Sequence, residues 1–355
     1  MKPTVRSQIS PQLVIGIEID PDRLSTALVD GHGKIIAERQ SEPARLTTRS
    51  VAATVAGSIL DLAASRERGS SSIGAVGISV AGLIDPVTDR VSIPAWKNWV
   101  RVDLRQLIED ELSKSGHDIG TPLNEKRARA QHKVSPHPAM IIHNRQSCAA
   151  VAESWNGAAR GKDHVVYLSL GAEVEVGIWS QGQVLRGSNG LAGSAGWLAL
   201  SEGFRQEYGD RGCLAVEAAS GSVTRRAIEG WNGNSHSILS KLIKSDPAQL
   251  EPATIVRAAR GGDPLALRVV NETCQWIGRA IANLVSILNP EAVVIGGELG
   301  RTLRPFLVGI REETGRWLPP QISKSCRIVN ATITEDAGLI GAARLAWLKS
   351  SPPAA

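Results

Sequence analysis

LVIGIEIDPDRLSTALVDGHGKIIAER, residues 13–39, reads as strand, turn, strand, tight Asp30-Gly31-His32-Gly33 turn, strand. Residues 164–186, HVVYLSLGAEVEVGIWSQGQVLR, repeat that grammar, with Ser180-Gln181-Gly182-Gln183 at the second turn. A spacing of roughly 150 residues suits a duplicated domain better than a short repeat array. Each unit is followed by helical stretches and another apolar strand. In the first half these are a helix near 49–66 and the strand IGAVGISV (73–80). In the second they are helices near 214–229, 253–260 and 263–288, then AVVIGG (292–297). Meanders alternating with helices predict two α/β domains with mixed sheets facing one another across a cleft. A small-residue amphipathic helix, DAGLIGAARLAWLKS (336–350), closes the chain.

Composition narrows the function classes. With 355 residues, 42% of them apolar, the chain can bury a core in two domains. The excess of 40 Lys+Arg over 35 Asp+Glu is only +5, with one local cluster, which argues against a nucleic-acid binder. No apolar run is long enough to span a membrane. MKPTVRSQISPQ at the start has no apolar signal-peptide core and reads as a polar lead-in. Cys148, Cys213, Cys274 and Cys326 lie far apart with no C-x-x-C, the usage of reduced thiols in a cytoplasmic protein.

Two hairpin turns in facing domains are where nucleotide phosphates are held when glycines let backbone N–H groups approach the oxygens. The same turns serve equally well as plain strand connections. Spacing alone leaves both readings open.

Four segments carry a resemblance. LRGSNGLAGSAGW (185–197) is close to R-G-x-x-G-x-A-G-E-x-G-H, and VGISVAGLIDPVTDRV (76–91) to V-G-x-P-G-x-V-D-x-x-x-G. NPEAVVIGGELG (289–300) is similar to N-P-E-x-I-V-x-G-G, and AGLIGAARLA (337–346) to a closing helix. In this order they resemble the ROK proteins, the repressor, open-reading-frame and kinase group of the actin-like sugar-kinase superfamily, over about residues 13–347. The resemblance implies two actin-like (ribonuclease H-like) α/β domains with mixed sheets flanking a central cleft. The expected division is 12–141, 142–335, and a closing helix 336–350 packed back on the first domain.

At the positions where the resemblance implies chemistry, the residues differ. The family's first phosphate turn, G-I-D-I-G-G-T-K, is matched by GIEIDPDR (16–23), with Asp20-Pro21 for Gly-Gly and Asp22 for Thr. Proline lacks an N–H, and carboxylates repel phosphate. The second turn, G-T-G-x-G-G-G, is matched by GAEVEVG (171–177), where Ala172, Glu173, Glu175 and Val176 stand in for the hydroxyl and glycines. Gly171, Gly296 and Gly297 are the nucleotide-side positions that survive. Where the family places Asn-Asp, the aspartate taking the sugar hydroxyl proton, this chain has Asn144-Arg145. Arginine stays protonated and cannot accept that proton. Three readings of Arg145 stay open: an ion pair with Glu173, Glu175 or Asp20, an anionic-ligand contact, or plain exposure.

The implied sugar shell is thinned. The family's Glu and His appear as Ser194 and Trp197, and its Pro-Asn as Pro94-Ala95. Asn144 is kept, and Glu217 lies near the place of a later family glutamate. Trp96, Trp99 and Trp197 sit near the implied cleft, either stacking on sugar or packing the core. The family's zinc ligands, a His and three cysteines, are reduced to Cys213 in QEYGDRGC (206–213), and one thiolate cannot hold a four-ligand zinc. A basic insertion at 115–138 clusters Lys126, Arg127, Arg129 and Lys133, a solvated surface or a contact for nucleic acid or an acidic partner. Only some 12 residues precede Leu13, too few for the helix-turn-helix of the family's repressors.

These losses favour a pseudo-kinase with no catalytic residue, binding a sugar or an anionic sugar derivative through Asn144, Arg145, Glu217 and Trp197. No cofactor and no metal are expected of it. The alternative is an active ATP- and Mg-dependent hexose (glucokinase-like) kinase with a replacement base among Glu153, Glu173 and Glu175. A third reading is a protein-interaction scaffold with no small-molecule ligand. The resemblance also implies a homo-oligomer, most simply a dimer.

Overall fold

The computed structural model describes residues 13–21, 23–42, 47–65, 73–115, 138–231, 233 and 237–350. Asp22 and the insertion's Lys126, Arg127, Arg129 and Lys133 lie outside the described residues.

In the first unit β1 (Leu13–Ile19), β2 (Leu24–Val29) and β3 (Ile35–Ser41) form the antiparallel meander read from residues 13–39. Two two-residue strands, β5 (Leu83–Ile84) and β6 (Val91–Ser92), pair with each other. β4 (Ile73–Val80) and β7 (Ala139–Asn144) extend the main sheet in parallel, in the order β3-β2-β1-β4-β7. β1 and β4 are apolar almost throughout because both sheet faces are covered. Ile15, Ile17 and Ile19 share a core with Val51, Val55 and Ile59 of the Thr48–Ala64 helix and with Leu104 and Ile108 of the Leu104–Lys114 helix. Thr47 and Asp103 cap those helices by accepting from the backbone N–H groups of Ser50 and Gln106. On the opposite face Val14, Ala27 and Ala75 pack against Leu339 and Ala343 of the Ala337–Ser350 helix. That helix lies close on the sheet, since a Cβ on Gly77 would sit 1.9 Å from the Ala342 carbonyl oxygen. Small residues in the closing helix are therefore a packing requirement.

The second unit repeats the plan. β8 (His164–Leu170), β9 (Val174–Ser180) and β10 (Gln183–Val184) form a meander, and β11 (Ala292–Gly296) and β12 (Arg327–Asn330) add in parallel on the far side of β8. The order β10-β9-β8-β11-β12 matches that of the first sheet, so the duplication seen in the sequence is a duplication of topology. The Pro264–Leu288 helix is the unit's longest, started by the Asp263 cap with proline next and stopped at Asn289 in a left-handed conformation.

The sequence places the domain boundary after residue 141, inside β7. That strand pairs with β4 along its whole length, and the Arg145–Asn156 helix packs on the Ala337–Ser350 helix, so both belong to the first unit. The first unit runs through Asn156 and takes in Gly187–Gly190 and the residues from Glu335 onward; the second is Gly157–Arg186 with Leu191–Thr334. Gly187–Gly190 joins the first because Gly190, at φ +73°, lies against the Ile84 carbonyl. No helix among the described residues is long and apolar enough to cross a membrane.

Candidate functional site

In the first unit the junction of β7 with the Arg145–Asn156 helix meets the β1–β2 turn. Asn144 caps the helix: its Oδ1 accepts from the Ser147 N–H at 2.9 Å. With Oδ1 so engaged, the donor it can offer a sugar hydroxyl is its amide N–H. Arg145 Nη1 donates to Asp20 Oδ2 at 2.6 Å. Of the acids proposed as partners for Arg145, Asp20 is the one. Both side chains are partly exposed, so the pair is worth up to about 1 kcal/mol; its larger effect is to fix where each charge sits. The turn is also closed on itself, since Asp20 N donates to Arg23 O at 2.9 Å and Arg23 N to Asp20 O at 3.3 Å. Pro21 has no N–H. Among the described residues of this turn, none of Asp20, Pro21 and Arg23 has a backbone donor to spare. Arg23 reaches the start of the closing helix, donating to the Glu335 carbonyl at 3.1 Å with Asp336 at 3.9 Å.

Beneath this surface lies a group that motif comparison overlooked. Glu18, 4% exposed, pairs across strands with Ser25 of β2 and Ser79 of β4, and Ser79 in turn with His143 of β7. One polar row thus crosses the sheet under the Ala337–Ser350 helix. Glu18 Oε2, Ser25 Oγ and Ser79 Oγ are all buried without a hydrogen-bond partner among the described residues. A Cβ on Gly338 would fall 2.4 Å from Glu18 Oε1 and 2.7 Å from Ser79 Oγ, so glycine is what lets the helix lie over the row. Burial pushes the Glu18 carboxyl up to about 7; Asp20 adds to the rise, while Arg145, Arg23 and the Leu339 N–H oppose it. The signal available in the sequence was a lone acid inside an otherwise apolar strand.

That environment predicts a pH dependence. The folded state holds the Glu18 proton between about 4.5 and about 7, where the unfolded chain has released it. This contribution to stability is complete below 4.5 and lost as pH rises through 7, up to about 3 kcal/mol. Glu18→Gln keeps an acceptor for Leu339 and supplies a permanent donor. Urea unfolding at pH 5 and pH 8 is expected to show wild type weakening at pH 8 while the variant loses less. An equal loss in both would assign the slope to other groups.

The second unit holds the other predicted positions. In the β8–β9 turn Gly171 N donates to Glu173 O at 3.0 Å and Gly171 O accepts from Ser220 N at 2.7 Å, while Ala172 and Glu173 are exposed. Glu175 is also exposed, whereas Glu153 of the first unit is 0% exposed. Gly296 is held against Tyr167, whose hydroxyl would meet a Cβ at 2.0 Å, and Gly297, at φ +78°, turns the chain against Leu170. Their glycine identity is thus explained by close backbone packing.

Glu217 sits in a buried network. Its carboxylate accepts from Tyr208 Oη at 2.7 Å and from Arg205, with Arg226 Nη2 at 3.6 Å. Arg226 also donates to the Glu217 carbonyl and to Thr273 Oγ1 at 2.8 Å; burial holds its guanidinium below the usual value, opposed by Glu217. Arg205 stacks on the Tyr208 ring at 4.3 Å. Cys213 packs with Tyr208 and Val216, and among the described residues no three His, Cys, Asp or Glu side chains converge as a metal site. Trp96 and Trp99 are buried edge to face, ring centroids 4.7 Å apart, in the core of the first unit, which selects the packing reading for both. Trp197 is 56% exposed.

A model of the ROK family matches residues 14–117 and 135–349. The chain belongs to the ROK family. This ROK protein is 28% identical over 335 residues to the glucokinase of Thermotoga maritima, covering 94% of this chain and 96% of the enzyme. Among solved structures it superposes on the ROK hexokinase of Thermus thermophilus with a TM-score of 0.74 at 23% identity, over 95% and 99% of the two chains. A ROK family transcriptional regulator, a homologue of the E. coli MLC protein, gives a TM-score of 0.73 at 20% identity over 94% of this chain and 78% of the regulator. A hexokinase and a regulator fit this ROK protein's fold almost equally well, so the fold by itself does not choose between catalysis and regulation.

Proposed function

We propose that this ROK protein is a pseudo-kinase: a cytoplasmic, homo-oligomeric sugar-binding protein that serves in regulation and transfers no phosphoryl group. The observation carrying this reading is the Arg145–Asp20 ion pair at 2.6 Å. It sets a permanent cation where the family resemblance implies the proton acceptor, and a carboxylate where it implies a phosphate-turn glycine. Asn144 supports retention of a sugar, and relatives that are glucokinases support a hexose as its class. Calorimetric titration with glucose and, separately, with Mg-ATP tests the reading. Glucose is expected to bind, with the heat lost in Asn144→Ala, and millimolar Mg-ATP to give none. Tight nucleotide binding would sink it.

A further inference from the structure

The Pro264–Leu288 and Leu307–Trp317 helices of the second unit pack together and wall a cavity of about 350 Å³ lined by Gln275, Arg279, Glu313, Arg316 and Trp317. That volume falls at the small end of metabolite pockets. None of these residues takes part in the site described above. Glu313, 6% exposed, accepts from Trp317 Nε1 at 2.7 Å, Arg316 Nη1 at 3.2 Å and Arg279 Nε at 3.4 Å. Gly278 permits the approach, since a Cβ there would lie 2.7 Å from Glu313 Cβ. The Arg279 guanidinium is held a second time by two indoles, 5.4 Å from the Trp276 centroid and 5.6 Å from that of Trp317.

Two guanidinium groups converge on a single carboxylate, which leaves one positive charge over. Neither terminal amino group of Arg279 has a hydrogen-bond partner among the described residues, nor has the Gln275 amide. A structural pair with Glu313 needs one arginine and has no use for a fork fixed on three sides with its donor edge free. Such a fork is pre-organised for an oxyanion. A carboxylate has two oxygens, which one fork saturates. A phosphate monoester has three, enough for both Arg279 amino groups and Arg316 together. Trp317, 60% exposed, offers a flat face beside them.

We propose that this pocket binds a phosphate monoester carried on a ring: phosphate on Arg279 and Arg316, ring face on Trp317, a ring hydroxyl or amide on Gln275. A sugar phosphate and a nucleoside monophosphate share that chemistry. The test titrates the full chain with glucose 6-phosphate and with adenosine 5′-monophosphate, following heat and tryptophan fluorescence, with glucose and inorganic phosphate as controls. One monoester is expected to saturate 1:1 with Kd below about 1 mM, roughly tenfold tighter than inorganic phosphate. Which one binds identifies the ring. Arg279→Gln and Arg316→Ala are each expected to weaken it about tenfold or more, the loss expected of a bidentate charged contact. Trp317→Leu is expected to weaken the monoester and leave inorganic phosphate unchanged. Arg316 is largely exposed, so its variant carries the test if Arg279→Gln fails to fold. Binding of neither monoester, or binding untouched by both arginine changes, overturns the proposal. So does a dimer that Arg316→Glu dissociates while no monoester binds, because the pocket would then be a contact between copies.

Discussion

Glucose and Mg-ATP incubated with this protein are expected to yield no sugar phosphate above the no-protein background. The attacking hydroxyl must lose a proton, and a positioned base contributes about 10²–10⁴-fold. Arg145 cannot be that base, and Asp20, the nearest carboxylate to it, is already its partner at 2.6 Å. The second deficit is the turn carrying Asp20 and Pro21, closed by its own backbone hydrogen bonds. Phosphoryl transfer depends on positioning and on neutralising phosphate charge, and a carboxylate beside the phosphate acts against both. The two deficits predict the outcome of repair. Arg145→Asp alone puts a carboxylate beside Asp20 and is expected to stay at background. Arg145→Asp combined with Asp20→Gly and Pro21→Gly removes that repulsion and supplies the N–H that proline lacks, and is expected to be the first variant with measurable turnover. A coupled assay decides. Wild-type kcat in the ordinary kinase range of about 1–100 s⁻¹ would end the pseudo-kinase reading.

The strands of both meanders were legible because their signals are local. Apolar runs and turn residues fixed the meanders at 13–39 and 164–186, and their likeness exposed the duplication before any pairing was known. The boundary between units was not legible, because it depends on β7 pairing with β4 across a long stretch of intervening chain. Arg145 was recognisable as out of place, yet choosing Asp20 over Glu173 and Glu175 required a contact 125 residues apart in sequence. Glu18 escaped notice because its meaning lies in its neighbours: Ser25 and Ser79 on adjacent strands, and a helix from the far end of the chain. Arg279 and Glu313 belong to separate helices, and no periodicity within either one announces their meeting.

Glu217→Ala is expected to destabilise the protein by about 3–5 kcal/mol. The Glu217 side chain is 9% exposed and faces Arg226, which is 11% exposed, so truncation takes the main counter-ion from a buried cation and leaves it only the weaker field of Glu272. It also removes the acceptor of the Tyr208 hydroxyl. Arg205→Ala should cost far less, because that side chain is 46% exposed and can hydrate. Glu217→Gln falls between the two, keeping an acceptor for Tyr208 but no charge for Arg226. This ordering has a functional meaning. The resemblance implies a glutamate that contacts sugar near Glu217 and a zinc that holds the surrounding loop. Here Arg205, Tyr208, Glu217 and Arg226 cross-link the segment around Cys213 through their hydrogen bonds and ion pairs. Urea midpoints in the presence of EDTA are accordingly expected to match those without it, while Glu217→Ala falls sharply. If Glu217→Ala instead kept its stability and lost glucose binding, the carboxylate would be a ligand contact, and the network would have to be read as the resting state of a sugar site.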